Sequence, residues 1–510
     1  MELFAFILYF VAMIVIGVYF FVVSRDNNEK DYFLGGRSMG PWVTAMSAQA
    51  SDMSAWLLMG LPGSILAFGF GQAWIGIGLA IGTAANWIIV AKRLRKFSKA
   101  AGDSITLPQY LSNRFASKSP LVSIICAVVF LVCFTIYVAS AFVAGTDVFT
   151  TLVPSLSRGV AMIIFAAIII VYTFLGGFKA VCWTDFFQGL LMIAALLIVP
   201  ITISFGKNLD PSALATVYTG PNGEEFNFVT NFFNASWQEI VSGFGWGLGY
   251  FGMPHIIVRF MAIEKPSMVK KSATVAIIWV VLSLAATIVI AYFGRMFVYD
   301  NGVDLSKELL ANGEQSLVFI KLARYVFPSF IAGLLLAAII AASMSTADSQ
   351  LLVAASSFTS DIYKPIIRKT ASNKEILWVS RIVVIVIAIV AYFIASSEGE
   401  AASAIMDLVS NAWGIFGAAF GPVVLFSLFW KRFTYKGAVA GIIVGAAVDM
   451  LWLWMPVAGS TLTAITGIYE IIPGFILGGI VSAVVTLIDK APSKEVEAIY
   501  AAATDNSIDD

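Results

Sequence analysis

Long apolar runs separated by short polar breaks fill the chain from one end to the other. About 20 apolar residues in a helix cross the ~30 Å hydrocarbon core of a bilayer. Runs of that size predict thirteen spans, at residues 2–23, 41–68, 73–91, 121–149, 159–177, 183–205, 235–256, 272–294, 328–358, 376–396, 404–430, 437–456 and 471–488. The first run, MELFAFILYFVAMIVIGVYFFVV, lacks a basic flank and a small-residue cleavage site, so a retained span is expected instead of a signal peptide. Two longer polar stretches, 206–234 and 295–327, read as solvated connectors, with short helices or lids as the alternative. No polar stretch is long enough to bury a core of its own. The pattern is that of an all-α, multi-pass membrane protein.

The informative positions are those where the apolar pattern breaks. Irregular backbone at membrane depth occurs only where it faces protein or a water-filled cavity, because lipid cannot satisfy free N–H and C=O groups. The second span holds Ser47-Ala48-Gln49-Ala50-Ser51-Asp52-Met53-Ser54 at its middle. An Asp at a helix centre costs about 2.5–3.5 kcal/mol on insertion scales, which a cation or substrate site on unwound backbone would offset; a capped kink is the plainer alternative. The seventh span reads Ser242-Gly243-Phe244-Gly245-Trp246-Gly247-Leu248-Gly249-Tyr250-Phe251-Gly252-Met253-Pro254. Each glycine costs about 1 kcal/mol against Ala in a helix, and glycines at alternate positions do not share one helix face. An interrupted helix is therefore predicted over close packing. In the ninth span, Ser343, Ser345, Thr346, Asp348 and Ser349 follow the apolar run IAGLLLAAII. Spans 2 and 7 each open a set of five, and matched interruptions in two such sets point to a transporter's binding site.

Composition and charge narrow the reading. Apolar residues make up 59% and charged residues 12% of 510, about half the charge of a soluble protein. The 31 basic residues balance 31 acidic ones, which gives no sign of a nucleic-acid surface. With the N-terminus outside, every basic residue except Arg158, Lys207, Arg295, Lys307, Lys321 and Arg324 falls in a loop on the cytoplasmic side, as the positive-inside rule demands. The single histidine, His255, excludes multi-histidine metal sites, and Cys126, Cys133 and Cys182 read as small core residues. LGGRSMG (34–40) lacks the spacing of a nucleotide loop. What remains are hydroxyls, freed carbonyls and a few acids, the oxygen donors that suit a hard cation. Sodium fits carbonyls of a broken second span joined by Ser345 and Thr346. Aromatic side chains of the seventh span would pack an apolar ring, and an exposed helix N-terminus would take a carboxylate.

At these patches the chain resembles the sodium/solute symporter family, and within it the bacterial sodium/proline symporters. The stretches that carry the resemblance include DYFLGGRSMGPWVTAMSA, ASDMSAWLLMGLPG, TLPQYLSNRF, YTFLGGFKAVCWTD, GWGLGYFGMPHIIVRFMA, AAIIAASMSTADSQLLV, GAAFGPVVLFSLFW and YEIIPGF. The resemblance implies thirteen transmembrane helices with a LeuT-like five-plus-five inverted repeat and extra N- and C-terminal helices. Residues 1–40 would be the first helix and a cytoplasmic loop, 41–205 the first repeat, 206–234 an extracellular loop, 235–430 the second repeat, 431–490 two further helices and 491–510 a cytoplasmic tail.

By the same resemblance, sodium would lie between the carbonyls of Ala50, Met53 and Ala342 and the hydroxyls of Ser345 and Thr346, with Asp52 beside it for coupling. Proline would contact Ser54, Tyr137, Trp246, Tyr250 and Pro254. Asp185, Asp348 and Ser349, with Ser345, match a second sodium site of some relatives; an inner-gate polar network is the alternative. Arg37 matches a functional position on the inner side. Ala55 stands where the best-known proline carriers have Gly, and its methyl would narrow the pocket beside Ser54. His255, Asp407 and Asp449 are read as structural. The expected activity is sodium-coupled uptake of L-proline across a bacterial inner membrane, with sodium as coupling ion, no cofactor, no enzymatic chemistry, no nucleic acid and no obligate protein partner beyond the lipid bilayer. The alternatives are symport of a betaine, a carboxylate or a sugar acid, a sodium channel, or a transporter-derived sensor.

Overall fold

The computed structural model describes residues 1–510 apart from 24–27, 176, 207, 220–222, 224, 398–403, 458 and 506–510. Arg25, Gly176, Lys207 and the last five residues of the predicted tail therefore lie outside the described residues. The elements used below are α1 (Glu2–Val23), α2 (Pro41–Met53), α3 (Gly60–Phe68), α4 (Ala73–Ala85), α5 (Leu121–Leu152), α6 (Arg158–Leu175), α7 (Phe178–Ser204), α8 (Trp237–Gly245), α9 (Pro254–Ala262), α10 (Val269–Met296), α11 (Ser329–Phe358), α12 (Asn373–Ser397), α13 (Ala404–Phe429), α14 (Tyr435–Trp454), α15 (Ile471–Ile488) and α16 (Lys494–Thr504).

Among the described residues, ten helices are long and apolar enough to cross a membrane. The sequence predicts thirteen spans, and the three in question are 41–68, 159–177 and 235–256. The first divides into α2 and α3 and the last into α8 and α9, while α6 is a single helix of 18 residues. Burial ranks the helices from centre to edge. The most apolar stretches of α11 and α13 are 83% buried, whereas those of α1 and α15 are 22% and 28% buried. The two central helices are thus almost wholly surrounded by protein, and α1 and α15 leave most of their apolar surface free for hydrocarbon.

Local chemistry sets the ends of the helices. Pro41 and Pro254 occupy first-turn positions of α2 and α9, where a missing N–H costs nothing. Ser236 and Glu239 form a reciprocal capping box at the start of α8. The stretches read as solvated connectors are in fact folded. They contain an antiparallel pair of short strands, Val217–Thr219 and Glu225–Asn227, and helices at Leu305–Asn312 and Val318–Val326. Asp304 caps the first of these helices through the N–H groups of Ser306 and Lys307. The tail also departs from a plain polar end. Ser493 caps α16, which is held by Tyr500 accepting from Arg93 Nη2 at 2.9 Å and donating to the Phe429 carbonyl at 3.2 Å.

Candidate functional site

The second span breaks where the polar patch predicts. Helix α2 stops at Met53, and Ser54 takes φ 46°, ψ −173°, a left-handed φ that an L-residue adopts only under local constraint. The Ser54 hydroxyl accepts from the Trp56 N–H at 3.1 Å, so the strained turn is tied to the short 3-10 turn Ala55–Leu57 that follows. Ending the helix here frees carbonyls of its last turn. The seventh span breaks at the matching place: α8 ends at Gly245, Trp246–Phe251 winds as a 3-10 helix, and α9 begins at Pro254. Its glycines also serve close packing, which alternation had argued against. A Cβ on Gly247 would stand 2.5 Å from the Gly78 carbonyl oxygen, and one on Gly245 2.7 Å from Ile472. The alternation serves two neighbours on opposite sides, α4 and α15.

Helix α11 meets the broken end of α2. Ser345 donates to the Ala50 carbonyl at 2.9 Å and contacts the Ala342 carbonyl at 3.2 Å. Thr346, its neighbour, is fully buried and its hydroxyl has no partner. Met53 is buried in the last turn of α2. Ala50, Ala342 and Ser345 therefore meet through carbonyl and hydroxyl oxygens near the break. Asp52 lies in the same last turn of α2 and meets a second group of residues. Its carboxylate accepts from the Tyr250 hydroxyl at 2.7 Å, and its own carbonyl accepts from Tyr137 at 3.3 Å.

That second group belongs to an aromatic pocket. Asp52, Met53, Tyr137, Trp246 and Tyr250 line it; of these the resemblance assigns Tyr137, Trp246 and Tyr250 to the solute and Met53 and Asp52 to the ion. Ser54 and Pro254 are buried at its edges, outside the lining. Trp56, Leu79, Val409 and Trp413 complete the wall and were not singled out from the sequence. Trp56 follows the Ser54 break by two residues, and Trp413 opens the glycine-rich run of α13; each is a signal that could have flagged it. The Trp56 and Trp246 rings lie 5.4 Å apart, and Trp246 stacks on Tyr469 at 5.1 Å. Trp413 donates to the Trp246 carbonyl at 2.8 Å and meets Tyr250 edge-on at 5.0 Å. The walls leave about 10 Å³ between them, close to the least that holds one water. This is a closed pocket, and a solute enters only if the aromatic walls part.

Asp185, Asp348 and Ser349 form a separate cluster with a cation already in it. Asp185 Oδ2 accepts from Arg259 Nη2 at 3.0 Å and from Ser47 at 2.7 Å. Arg259 also donates to Ser47 at 2.9 Å and to Ser349 at 2.5 Å, and Ser349 reaches Asp348 at 3.4 Å. The sequence assigns Arg259 to a cytoplasmic loop. The structure corrects this: α9 runs to Ala262, and Arg259 is 1% exposed. An amphipathic stretch after a proline start was the available signal.

Arg37 stands apart from the pocket, at the loop end. Gly35 and Gly36 take φ 59° and 64°, a turn open to glycine at no steric cost, and this delivers Arg37 into a buried network. Its guanidinium donates to Asp103 at 2.9 Å, Ser98 at 3.1 Å, the Ser104 carbonyl at 2.8 Å and the Met261 carbonyl. Burial and nearby Arg95 push the Arg37 pKa down to about 10, with Asp103 opposing the shift, so it stays charged at neutral pH. Partial burial opposes the charge on Asp103, but Lys30, Arg37 and Lys99 outweigh it and hold its carboxyl below the usual range. Met39 pairs with Ile263 through a parallel bridge, so the loop before α2 and the end of α9 are clasped together.

The chain is similar to known proteins over nearly its whole length. The sodium:solute symporter family matches residues 32–445. The sodium/proline symporter of Escherichia coli K12 is 43% identical, with 98% of this chain and 95% of that protein covered. The high-affinity proline transporter PutP of Bacillus subtilis is 42% identical (95% and 97% covered), and that organism's osmoregulated proline transporter OpuE is 40% identical (96% and 94% covered). In fold, the chain is similar to a substrate-bound, outward-open Na+-coupled sialic acid symporter, with TM-score 0.73, 21% identity and 97% and 99% of the two chains covered. It is also similar to a nucleobase-cation-symport-1 family transporter in a closed conformation, with TM-score 0.52, 14% identity and 94% and 99% covered. The fold is that of LeuT-like sodium symporters. With its two broken spans, its closed aromatic pocket and this likeness over nearly its whole length, the chain belongs to the sodium:solute symporter family.

Proposed function

We propose that the chain couples the entry of Na+ to the uptake of L-proline by alternating access. One observation carries the reading: a single break in α2 offers oxygen donors to Ser345 on one side and the Asp52–Tyr250 contact to an aromatic pocket on the other. An ion at the first and a solute at the second share one short turn, so each feels the other's presence. Sodium is held by the carbonyls of Ala50, Met53 and Ala342 with Ser345 and Thr346, and Asp52 adjoins it as the coupling carboxylate. Trp246 and Tyr250 hold the proline ring, with Tyr137, Ser54 and Pro254 at its edges. The names of the relatives, sodium/proline symporters and proline transporters, support this choice of solute.

Residues 41–205 and 235–430 act as two oppositely oriented repeats around this site. The basic residues support a bacterial inner-membrane orientation with the N-terminus outside and the C-terminus in the cytoplasm. In that orientation the Trp56–Trp246–Tyr469 stack closes the outer side, and the Arg37–Asp103 network clasps the inner side. Asp185, Asp348 and Ser349 serve as an inner-gate network and not as a second sodium site, because the Arg259 guanidinium already supplies the positive charge. A monovalent cation crossing 100 mV releases about 2.3 kcal/mol, and each tenfold gradient adds about 1.4 kcal/mol, enough to concentrate a small zwitterion.

Uptake of labelled proline into liposomes holding the purified protein tests the reading. Saturable uptake driven by a sodium gradient and absent with choline is expected. Stronger competition by a betaine, a carboxylate or a sugar acid reassigns the solute, and sodium current without saturable uptake means a channel.

A further inference from the structure

Two buried acidic side chains flank one notch behind the pocket wall. Asp449 lies on α14 and Glu470 just before α15. They are 0% and 2% exposed. Both converge on Gly414 of α13: a Cβ built there would stand 3.0 Å from Asp449 Oδ2 and 3.4 Å from Glu470 Cγ. Glu470 accepts from the Thr463 hydroxyl at 3.1 Å. Neither oxygen of Asp449 has a hydrogen-bond partner. Among the described residues no Lys, Arg or His pairs with either acid. The groups that act on them are further acids and weak acids: Asp407 on α13, Cys133 on α5 and Tyr469.

The helices around this notch touch backbone to backbone. A Cβ on Gly474 of α15 would stand 2.6 Å from the Ala418 side chain and 3.0 Å from the Gly445 carbonyl, so water has no room to solvate two charges. Two like charges in one unsolvated notch cannot both persist, and an unpartnered carboxyl at membrane depth calls for a ligand. A single proton resolves both problems, since it removes one of the two charges.

We propose that Asp449 and Glu470, on the two sides of the Gly414 notch, together retain one proton, and that this proton holds the outer wall of the pocket in place. Both residues adjoin that wall. Tyr469, next to Glu470, stacks on Trp246, and its hydroxyl donates to the Ser410 carbonyl of α13 at 2.7 Å. Trp413, next to Gly414, donates to the Trp246 carbonyl. Losing the proton drives the two acids apart and takes Tyr469 and Trp413 with them. The proton site stands without the assignment of proline as solute; only the transport readout depends on it.

The test is pH-difference infrared spectroscopy of the full-length protein in liposomes, comparing wild type with Asp449→Asn and Glu470→Gln. Wild type should show the carbonyl stretch of a protonated carboxyl that titrates away as the pH rises, and Asp449→Asn should lack that component. Identical spectra for wild type and both variants would overturn the proposal. So would a wild-type band that appears only when sodium is withheld, because a metal ion would then be neutralising the pair. In parallel, the apparent KM for the solute should change by about fivefold or more across the titration in wild type and stay flat in Asp449→Asn. Asp449→Leu, which fills the notch with an apolar group, should give the same flat profile and serves if the amide fails to fold; a wild-type pH dependence retained in both variants would contradict the proposal.

Discussion

Asp52 and Asp185 are both buried at membrane depth, yet their surroundings differ in one decisive respect. Asp185 is bound to Arg259, Ser47 and, through Arg259, Ser349, so its charge is matched by a cation the chain itself provides. Asp52 has one neutral partner, the Tyr250 hydroxyl, and among the described residues no cationic side chain pairs with it. A buried charge without a counter-charge is costly. The charge on Asp185 is thus met by the chain itself, whereas an ion in the proposed site would meet the charge on Asp52, beside the carbonyls that end α2.

Breaking the Asp185 pair should cost the most stability. Arg259→Ala leaves Asp185 buried and unpaired, and losing one partner of a buried pair costs about 3–5 kcal/mol. Thermal unfolding in detergent should show a large loss that the double change Asp185→Ala with Arg259→Ala partly restores. Breaking the Asp52 site should cost function and spare the fold. Asp52→Asn should raise the sodium needed for half-maximal uptake by about 10- to 150-fold, the equivalent of 1.5–3 kcal/mol for a contact to a charged group. Its melting temperature without sodium should not fall.

The two sides of the α2 break should also separate cleanly. Trp246→Ala removes a buried aromatic worth about 1.5–3 kcal/mol, and should weaken solute binding by more than tenfold while sodium activation changes little. Thr346→Ala should do the reverse, raising the sodium requirement about fivefold for the loss of one neutral ligand near 1 kcal/mol. Unchanged sodium activation would remove Thr346 from the ion site.

How far these sites could be read from the sequence depends on the kind of signal each leaves. The breaks at Ser54 and Trp246–Phe251 were legible because polar and glycine positions are conspicuous in apolar spans, and the contact of Ser345 with α2 because hydroxyls cluster there. Trp56 and Trp413 are harder to read, because an aromatic residue in an apolar span looks the same whether it faces lipid or a pocket, and only their places beside the Ser54 break and the glycine run of α13 mark them. Arg259 was misplaced because periodicity ended the seventh span at 256, and only the fold carries α9 on to Ala262. The helices of the connectors were open only as the lesser alternative for a related reason: the apolar face of Val318–Val326 is too short to stand out beside full spans.

The smallest effect is expected at the clasp around Arg37. The folded state holds Asp103 below its ordinary carboxylate value, so its contribution is complete at neutral pH. It is lost as the pH falls through the usual carboxylate range towards the lowered value. Acid should therefore loosen Lys30, Arg37 and Lys99 from Asp103 before the pocket changes, with a slight rise in hydrogen exchange over residues 98–104, and Asp103→Asn should abolish that acid step.

The most direct test of the contrast between the two aspartates is the melting temperature of the purified protein as sodium replaces choline. A bound ion stabilises the folded state in proportion to its occupancy. Wild type should melt higher as sodium rises, and Asp52→Asn should show no such shift. A sodium-dependent shift of the same size in Asp52→Asn would contradict the claim that the ion meets the charge on Asp52.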